Sequence, residues 1–266
     1  MIPKIIHYVW VGGKPLTPLA EKCIESWKKF CPDYEIKRWD ETNFDINENV
    51  YCKEAYGSKK WAFVSDYIRL KVLYEYGGIY KDTDVEVTKP LDKFLTHKAF
   101  SGYESDNHIP TGIIASEKGN VWIKENLEYY TDKHFILKDN KLDLTTNVLT
   151  ITRITKKMYP DVVLNGKYTE LNDVVFYPKD YFCPISLETR DCEITKNTHT
   201  IHHFCGSWLE PPTKFQRFKT KIKTLIKKII GKKNVQKIRN ARKRRQEKRE
   251  LKNAKDKSNN IYTNIQ

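Results

Sequence analysis

A helix that stops at a Gly-Gly pair and leads into a strand with two aspartates most constrains the fold of this chain. Residues 60–76 (KWAFVSDYIRLKVLYEY) predict the helix, and Gly77-Gly78 ends it as a C-cap does. The next segment, IYKDTDVEV, predicts a strand. A helix followed directly by a strand is typical of α/β domains.

The rest of the first 212 residues alternates predicted strands and helices. IPKIIHYVWV predicts a buried first strand closed by Gly12-Gly13, and TPLAEKCIESWKKFC begins with the helix-start pair Thr17-Pro18. Further strands are predicted in YEIKRWD, KAFSGYE, TGIIAS and DVVFYP, and a helix in NVWIKENLEYYT. This alternation predicts an α/β domain with a largely parallel sheet.

Asp82 and Asp84 are the first candidate functional residues. Side chains at i and i+2 of a strand face the same side, so the strand would present both carboxylates to one point. Ligands bind such sheets at the carboxyl ends of strands, where WVGG and DTD both belong. A divalent cation would relieve the repulsion between the carboxylates. A solvated turn is the alternative, because Asp-x-Asp also arises by chance.

Asp66 and Arg69 form a second candidate pair. They are three residues apart and therefore lie on one face of the predicted helix. An ordinary surface ion pair would contribute little. A carboxylate and a guanidinium close to the two aspartates could instead hold a polyhydroxyl ligand and its phosphate.

The segment SDYIRLKVLYEYGGIYKDTDV resembles the signature of the DXD-containing sugar transferases, in which Ser-Asp, an arginine, Gly-Gly and Asp-x-Asp follow in this order. IPKIIHYVWVGG resembles that family's first strand, and IHHFCGSW resembles its last motif. The likeness covers residues 2 to about 212 and points to glycosyltransferase family 32. It implies a GT-A fold, which is a Rossmann-like domain with a mixed, mostly parallel sheet flanked by helices. It also implies a nucleotide-sugar donor and a divalent metal, Mn²⁺ or Mg²⁺.

The resemblance implies roles for individual residues. One of the tandem histidines His202 and His203 would be a third metal ligand, with His202 favoured by the preceding isoleucine. The implied catalytic residues are Asp82, Asp84 and Arg69; the implied donor-binding residues are Val9, Trp10, Asp66, Arg69, Tyr80, Asp82, Ser207 and Trp208; the implied metal ligands are Asp82, Asp84 and His202 or His203. Simple packing is the alternative for Trp10 and Trp208. Thr146-Asn147 departs from the family's usual Gly-Pro, so Asn147 receives no firm role.

The implied reaction moves a hexose or N-acetylhexosamine from the donor to a glycan or lipid-linked glycan, in capsule, lipopolysaccharide or other surface polysaccharide synthesis. The favoured donor is a UDP-sugar, with GDP-mannose second. The metal and Arg69 would stabilise the charge that develops on the departing diphosphate. The family retains anomeric configuration. No carboxylate nucleophile can be named, so a same-face attack assisted by the departing phosphate stays open.

The net charge of +14 comes from the C-terminal segment. Residues 211–266 hold 20 of the 48 basic residues and 3 of the 34 acidic ones, so they carry +17 and leave −3 for the rest. We predict a body over 1–212, a basic amphipathic helix over 213–250 and a disordered terminus over 251–266.

The basic helix would bind an anionic membrane surface. Packing on the body and binding of nucleic acid are the alternatives. A magnesium-dependent nuclease is the rival function, although the negative body disfavours it. Six scattered cysteines without a CxxC pair, no signal peptide and no spanning segment predict a cytoplasmic protein, peripheral on the inner face of the membrane.

Overall fold

A computed structural model describes residues 1–109, 112–186 and 190–206. The predicted tail over 213–250, the terminus over 251–266, and the site candidates Ser207 and Trp208 lie outside the described residues. The strands are β1 Ile5–Val9, β2 Glu35–Trp39, β3 Gly78–Lys81, β4 Val85–Val87, β5 Ala99–Gly102, β6 Ile113–Ser116, β7 Thr169–Glu170, β8 Val175–Tyr177 and β9 Thr200–His202. The helices are α1 Pro18–Phe30, α2 Val50–Gly57, α3 Trp61–Tyr76, α4 Val121–Glu128, α5 Asn147–Met158 and α6 Lys179–Phe182.

Seven of these strands form one mixed sheet in the order β2-β1-β3-β6-β5-β8-β7. β2, β1, β3, β5 and β8 run in the same direction, whereas β6 and β7 run antiparallel to their neighbours. The carboxyl ends of five strands therefore meet at one edge of the sheet. This arrangement confirms the predicted α/β class with a mostly parallel sheet.

Two apolar clusters cover the two faces of the sheet. Tyr80 belongs to the cluster that includes α2, α3 and α4, while its neighbour Ile79 belongs to the cluster that includes α1. The alternation follows from the two-residue period of a strand. Asp82, two residues after Tyr80, continues on the side of α3.

The predicted start of α1 and the predicted end of α3 are confirmed, because local signals define them. The Thr17 hydroxyl accepts a hydrogen bond from the Ala20 N–H at 3.2 Å and caps α1. Gly77 ends α3 with φ 69°, a left-handed conformation that favours glycine. Helices α2, α5 and α6 were not predicted.

The prediction of one continuous strand over IYKDTDVEV is wrong. β3 ends at Lys81, and the Val85 N–H then donates to the Asp82 carbonyl at 3.0 Å to close a turn. β4 follows this turn and pairs with β9 in a separate two-stranded sheet. The chain bends at the two aspartates because β4 leaves the main sheet.

Among the described residues, no helix is both long and apolar enough to cross a membrane.

Candidate functional site

Asp82, Asp84 and His202 meet at the carboxyl end of β3. Their ligand atoms all lie within 4.8 Å of one another, and all three side chains are partly buried. The antiparallel pairing of β4 with β9 sets Val85 opposite His202 and so delivers the histidine to the turn. His202 Nε2 lies 3.3 Å from Asp84 Oδ1. The turn and the strand pair thus gather two carboxylates and one imidazole from distant parts of the sequence.

The second of the tandem histidines faces elsewhere. His203 Nε2 lies 2.9 Å from Glu86 Oε2, and Lys22 Nζ approaches the same oxygen at 3.1 Å. Successive side chains alternate in direction in extended chain, so His202 and His203 cannot both face the aspartates. The geometry places His202, rather than His203, with the two carboxylates.

These three side chains fit a divalent cation such as Mn²⁺ or Mg²⁺. Carboxylate oxygens with one imidazole are an ordinary donor set for such ions. Burial raises the pKa of Asp84, but hydrogen bonds from His202 and from the Cys205 N–H outweigh this effect and hold the pKa below its usual range. Asp84 is therefore ionised at neutral pH, as a ligand must be.

Arg69 connects the helix α3 to the metal candidates. Its NH2 atom lies 3.1 Å from Asp66 Oδ1 and 3.2 Å from Asp82 Oδ1, and its charge lies over the ring of Tyr80 at 4.6 Å. The Tyr80 hydroxyl donates to Asp82 Oδ1 at 3.1 Å. A buried guanidinium held by two carboxylates keeps its charge. Arg69 and Tyr80 therefore fix one oxygen of Asp82.

Asn147 completes this network, although sequence reasoning gave it no firm role. Its Nδ2 donates to Asp66 Oδ1 at 3.0 Å, and its side chain is buried at the start of α5. Burial raises the pKa of Asp66 to about 6, while Arg69 and Asn147 oppose that rise. The only sequence signal was the departure from the family pattern at Thr146-Asn147. Asp66 is thus held beside Asp82 by Arg69 on α3 and by Asn147 on α5.

Trp10 lies at the carboxyl end of β1, next to β3 on the same sheet edge. Its indole N–H donates to the Lys14 carbonyl at 2.7 Å, which fixes the partly buried ring. Val9 is buried in the cluster beside α3 and contributes to packing. The expectation that WVGG and DTD share one edge is therefore confirmed, while the role of Trp10 in stacking stays a prediction.

Residues 18–101 match the model of the glycosyltransferase sugar-binding region containing a DXD motif. Over this segment the chain is similar to the DXD-containing glycosyltransferases. The matched segment includes Asp66, Arg69, Asp82 and Asp84, whereas Asn147 and His202 lie beyond it. The mostly parallel mixed sheet flanked by helices fits the GT-A type expected of the family.

Among the relatives, inositol phosphoceramide mannosyltransferase 3 of Schizosaccharomyces pombe is 30% identical over 129 residues, which cover 46% of this chain and 35% of the relative. An uncharacterized glycosyltransferase of Acanthamoeba polyphaga mimivirus is 27% identical over 220 residues, covering 78% of this chain and 84% of that protein. The solved PaToxG glycosyltransferase is 22% identical with a TM-score of 0.45, covering 60% of this chain and 70% of that one. The chain thus spans about a third of the length of the fungal relative.

Proposed function

We propose that this protein is a metal-dependent, retaining glycosyltransferase that moves a hexose or N-acetylhexosamine from a nucleotide sugar to a glycan acceptor. The observation that carries the proposal is the meeting of Asp82, Asp84 and His202 beside a buried arginine that contacts both Asp66 and Asp82. A cation site next to a fixed guanidinium suits a diphosphate, and buried carboxylates suit the hydroxyls of a sugar.

Within this proposal, Asp82, Asp84 and His202 would hold Mn²⁺ or Mg²⁺. When bound, such an ion stabilises the negative charge that develops on a departing diphosphate. Arg69 adds a second, fixed positive charge, because its position is set by Asp66, Asp82 and Tyr80 before any ligand arrives. Asp66, oriented by Asn147, can accept hydrogen bonds from the donor sugar.

We favour a UDP-sugar as the donor and GDP-mannose second. The similarity to the fungal inositol phosphoceramide mannosyltransferase supports keeping a mannosyl donor and a lipid-linked acceptor among the candidates. A role in capsule, lipopolysaccharide or other surface polysaccharide synthesis is part of the same proposal.

The basic segment over 213–250 supports a peripheral location on the inner face of a membrane. Sedimentation with anionic liposomes tests this location. Deletion of residues 213–266 should abolish co-sedimentation, and unchanged co-sedimentation would disprove the membrane role without affecting the enzymatic proposal.

A donor panel tests the enzymatic proposal directly. Purified full-length protein is incubated with each common UDP- and GDP-sugar and Mn²⁺, and the released nucleoside diphosphate is measured. We expect slow hydrolysis of one donor, which is lost with EDTA and in Asp84→Asn. His203→Ala should retain the Mn²⁺ dependence that His202→Ala weakens. The proposal would be refuted if no donor released nucleoside diphosphate and if neither UDP nor GDP with Mn²⁺ stabilised the protein against heat.

A further inference from the structure

The loop of residues 10–14 lies at the sheet edge that carries the metal candidates. It follows β1, whose neighbour β3 leads to Asp82. Its first residue, Trp10, is partly buried and donates its indole N–H to the Lys14 carbonyl at 2.7 Å, so the loop closes on itself. A flat indole beside a site suited to a diphosphate is placed for the base of a nucleotide, because every base has an aromatic face.

Glu41, which follows β2, holds this loop from the neighbouring strand. The Gly12 N–H donates to Glu41 Oε1 at 2.6 Å, and the Tyr56 hydroxyl on α2 donates to the same oxygen at 3.0 Å. Gly12 also lies against the indole of Trp61 at the start of α3, since a Cβ at Gly12 would meet that ring at 2.8 Å. One oxygen of Glu41 therefore connects the loop to α2.

The backbone at Glu41 is fixed before a ligand arrives. The Trp10 N–H donates to the carbonyl of Trp39, the last residue of β2, at 2.9 Å. Asp40 Oδ1 then accepts from the Thr42 N–H at 2.9 Å and from the Thr42 hydroxyl at 2.6 Å, which closes a turn around Glu41. Such prior fixing is what a positioning group requires.

The bond between Gly12 and Glu41 is stronger than an ordinary backbone hydrogen bond. Burial raises the pKa of Glu41, but hydrogen bonds from the Gly12 N–H and the Tyr56 hydroxyl outweigh this effect and hold the pKa below its usual range. Glu41 is therefore ionised at neutral pH. A hydrogen bond to an ionised carboxylate is shorter and stronger than one to a neutral acceptor.

We propose that Glu41 is a positioning residue that holds the loop of residues 10–14, and with it Trp10, in place for the base of the nucleotide donor. The inference rests on the proposed function and extends it to a residue outside the metal and diphosphate site. Without the Glu41 oxygen, the Gly12 N–H would turn to water and the loop would no longer be tied to α2. Part of the binding energy would then be spent on ordering the loop.

Binding of nucleoside diphosphates tests this role without knowledge of the acceptor. Full-length protein with Mn²⁺ is titrated calorimetrically with UDP, GDP and pyrophosphate. In Glu41→Ala, which removes the acceptor, the Kd of the tighter nucleoside diphosphate should rise about tenfold. Pyrophosphate has no base, so its Kd should stay within about twofold, as should kcat for donor hydrolysis at saturating donor. Glu41→Gln should keep the nucleoside diphosphate Kd within about threefold of wild type, because its amide oxygen still accepts from Gly12.

Glu35→Ala is the matched control, because it removes an exposed carboxylate from the first residue of β2. It should leave all affinities unchanged. Three results would each overturn the role of Glu41 alone: an unchanged nucleoside diphosphate Kd in Glu41→Ala, an equal loss of pyrophosphate affinity, or a Glu41→Gln variant as weak as Glu41→Ala. A wild-type protein that binds neither UDP nor GDP with Mn²⁺ would instead overturn the proposed function.

Discussion

Acidification should destabilise this protein through one buried histidine, His7. The side chain lies in the centre of the sheet, where Nε2–H donates to the Gly77 carbonyl at 2.8 Å and Nδ1 accepts from the Trp39 indole N–H at 3.1 Å. A neutral imidazole has one donor and one acceptor, so both partners are satisfied. A second proton would place an N–H against the N–H of Trp39.

The magnitude follows from the pKa of His7. Burial, the largest effect, lowers the pKa from 6.5 to about 4, and Lys37 adds to the decrease while the Gly77 carbonyl opposes it. The unfolded chain binds the proton more readily, so the contribution to stability is complete above pH 6.5 and is lost as the pH falls through 4. At 1.36 kcal/mol per pH unit, the full loss is about 3 kcal/mol, and about 2 kcal/mol of it occurs between pH 7.5 and 5.

Urea unfolding followed by tryptophan fluorescence at several pH values measures this loss. His7→Gln serves as the reference, because its amide also carries a donor group and an acceptor group but does not titrate in this range. The stability advantage of wild type over His7→Gln should shrink by about 2 kcal/mol between pH 7.5 and 5, which moves the wild-type midpoint by about 1 M urea relative to the variant. A parallel pH dependence in the two proteins, or an NMR pKa of His7 near 6.5, would refute the reasoning.

Three further predictions concern single side chains. Asn147→Ala removes the amide donor to Asp66 and should raise the donor KM about tenfold or more. Gly112→Ala would place a Cβ 2.7 Å from His202 Nδ1, so it should displace the imidazole and reduce thermal stabilisation by Mn²⁺. Lys81→Met should stabilise the protein by about 1–3 kcal/mol in urea, because burial lowers the pKa of Lys81 to about 7 and its ammonium has no hydrogen-bond partner within the described ranges.

Each of these variants has a matched control elsewhere in the chain. Asn172→Ala removes an exposed amide, Gly57→Ala adds a Cβ that meets no atom within 4 Å, and Lys37→Met removes a lysine that is less buried. The first two should leave the donor KM and the Mn²⁺ effect unchanged, and Lys37→Met should not stabilise the protein. A functional loss shared by variant and control would assign the effect to the substitution type rather than to the site.

Much of the fold could be predicted because its signals are local. Thr17 caps α1 through a hydrogen bond three residues away, and Gly77 supplies a left-handed backbone that ends α3. Neither signal depends on tertiary structure. Helix α5 was missed because its start lacks such a signal: the N-cap residue Thr146 makes no capping hydrogen bond with its side chain, and Asn147 donates to Asp66 on another helix.

The two aspartates were predicted to converge, but for the wrong physical reason. The prediction relied on the same-side geometry of a continuous strand, whereas Asp82 and Asp84 lie in a turn between β3 and β4. The direction of the two carboxylates depends on the orientation of this turn. The pairing of β4 with β9 sets that orientation. The position of the pair therefore depends on residues 200–202.

The choice between His202 and His203 shows why the sequence left the third ligand open. The two histidines are adjacent in sequence, and the isoleucine before His202 favoured that residue without deciding the choice. The register of β9 against β4 separates them, since it sets Val85 opposite His202 and leaves His203 to Glu86. A shift by one residue would exchange the two faces. The metal site is therefore a consequence of strand register, and a substitution that moves β9 should alter it even where all three ligands remain.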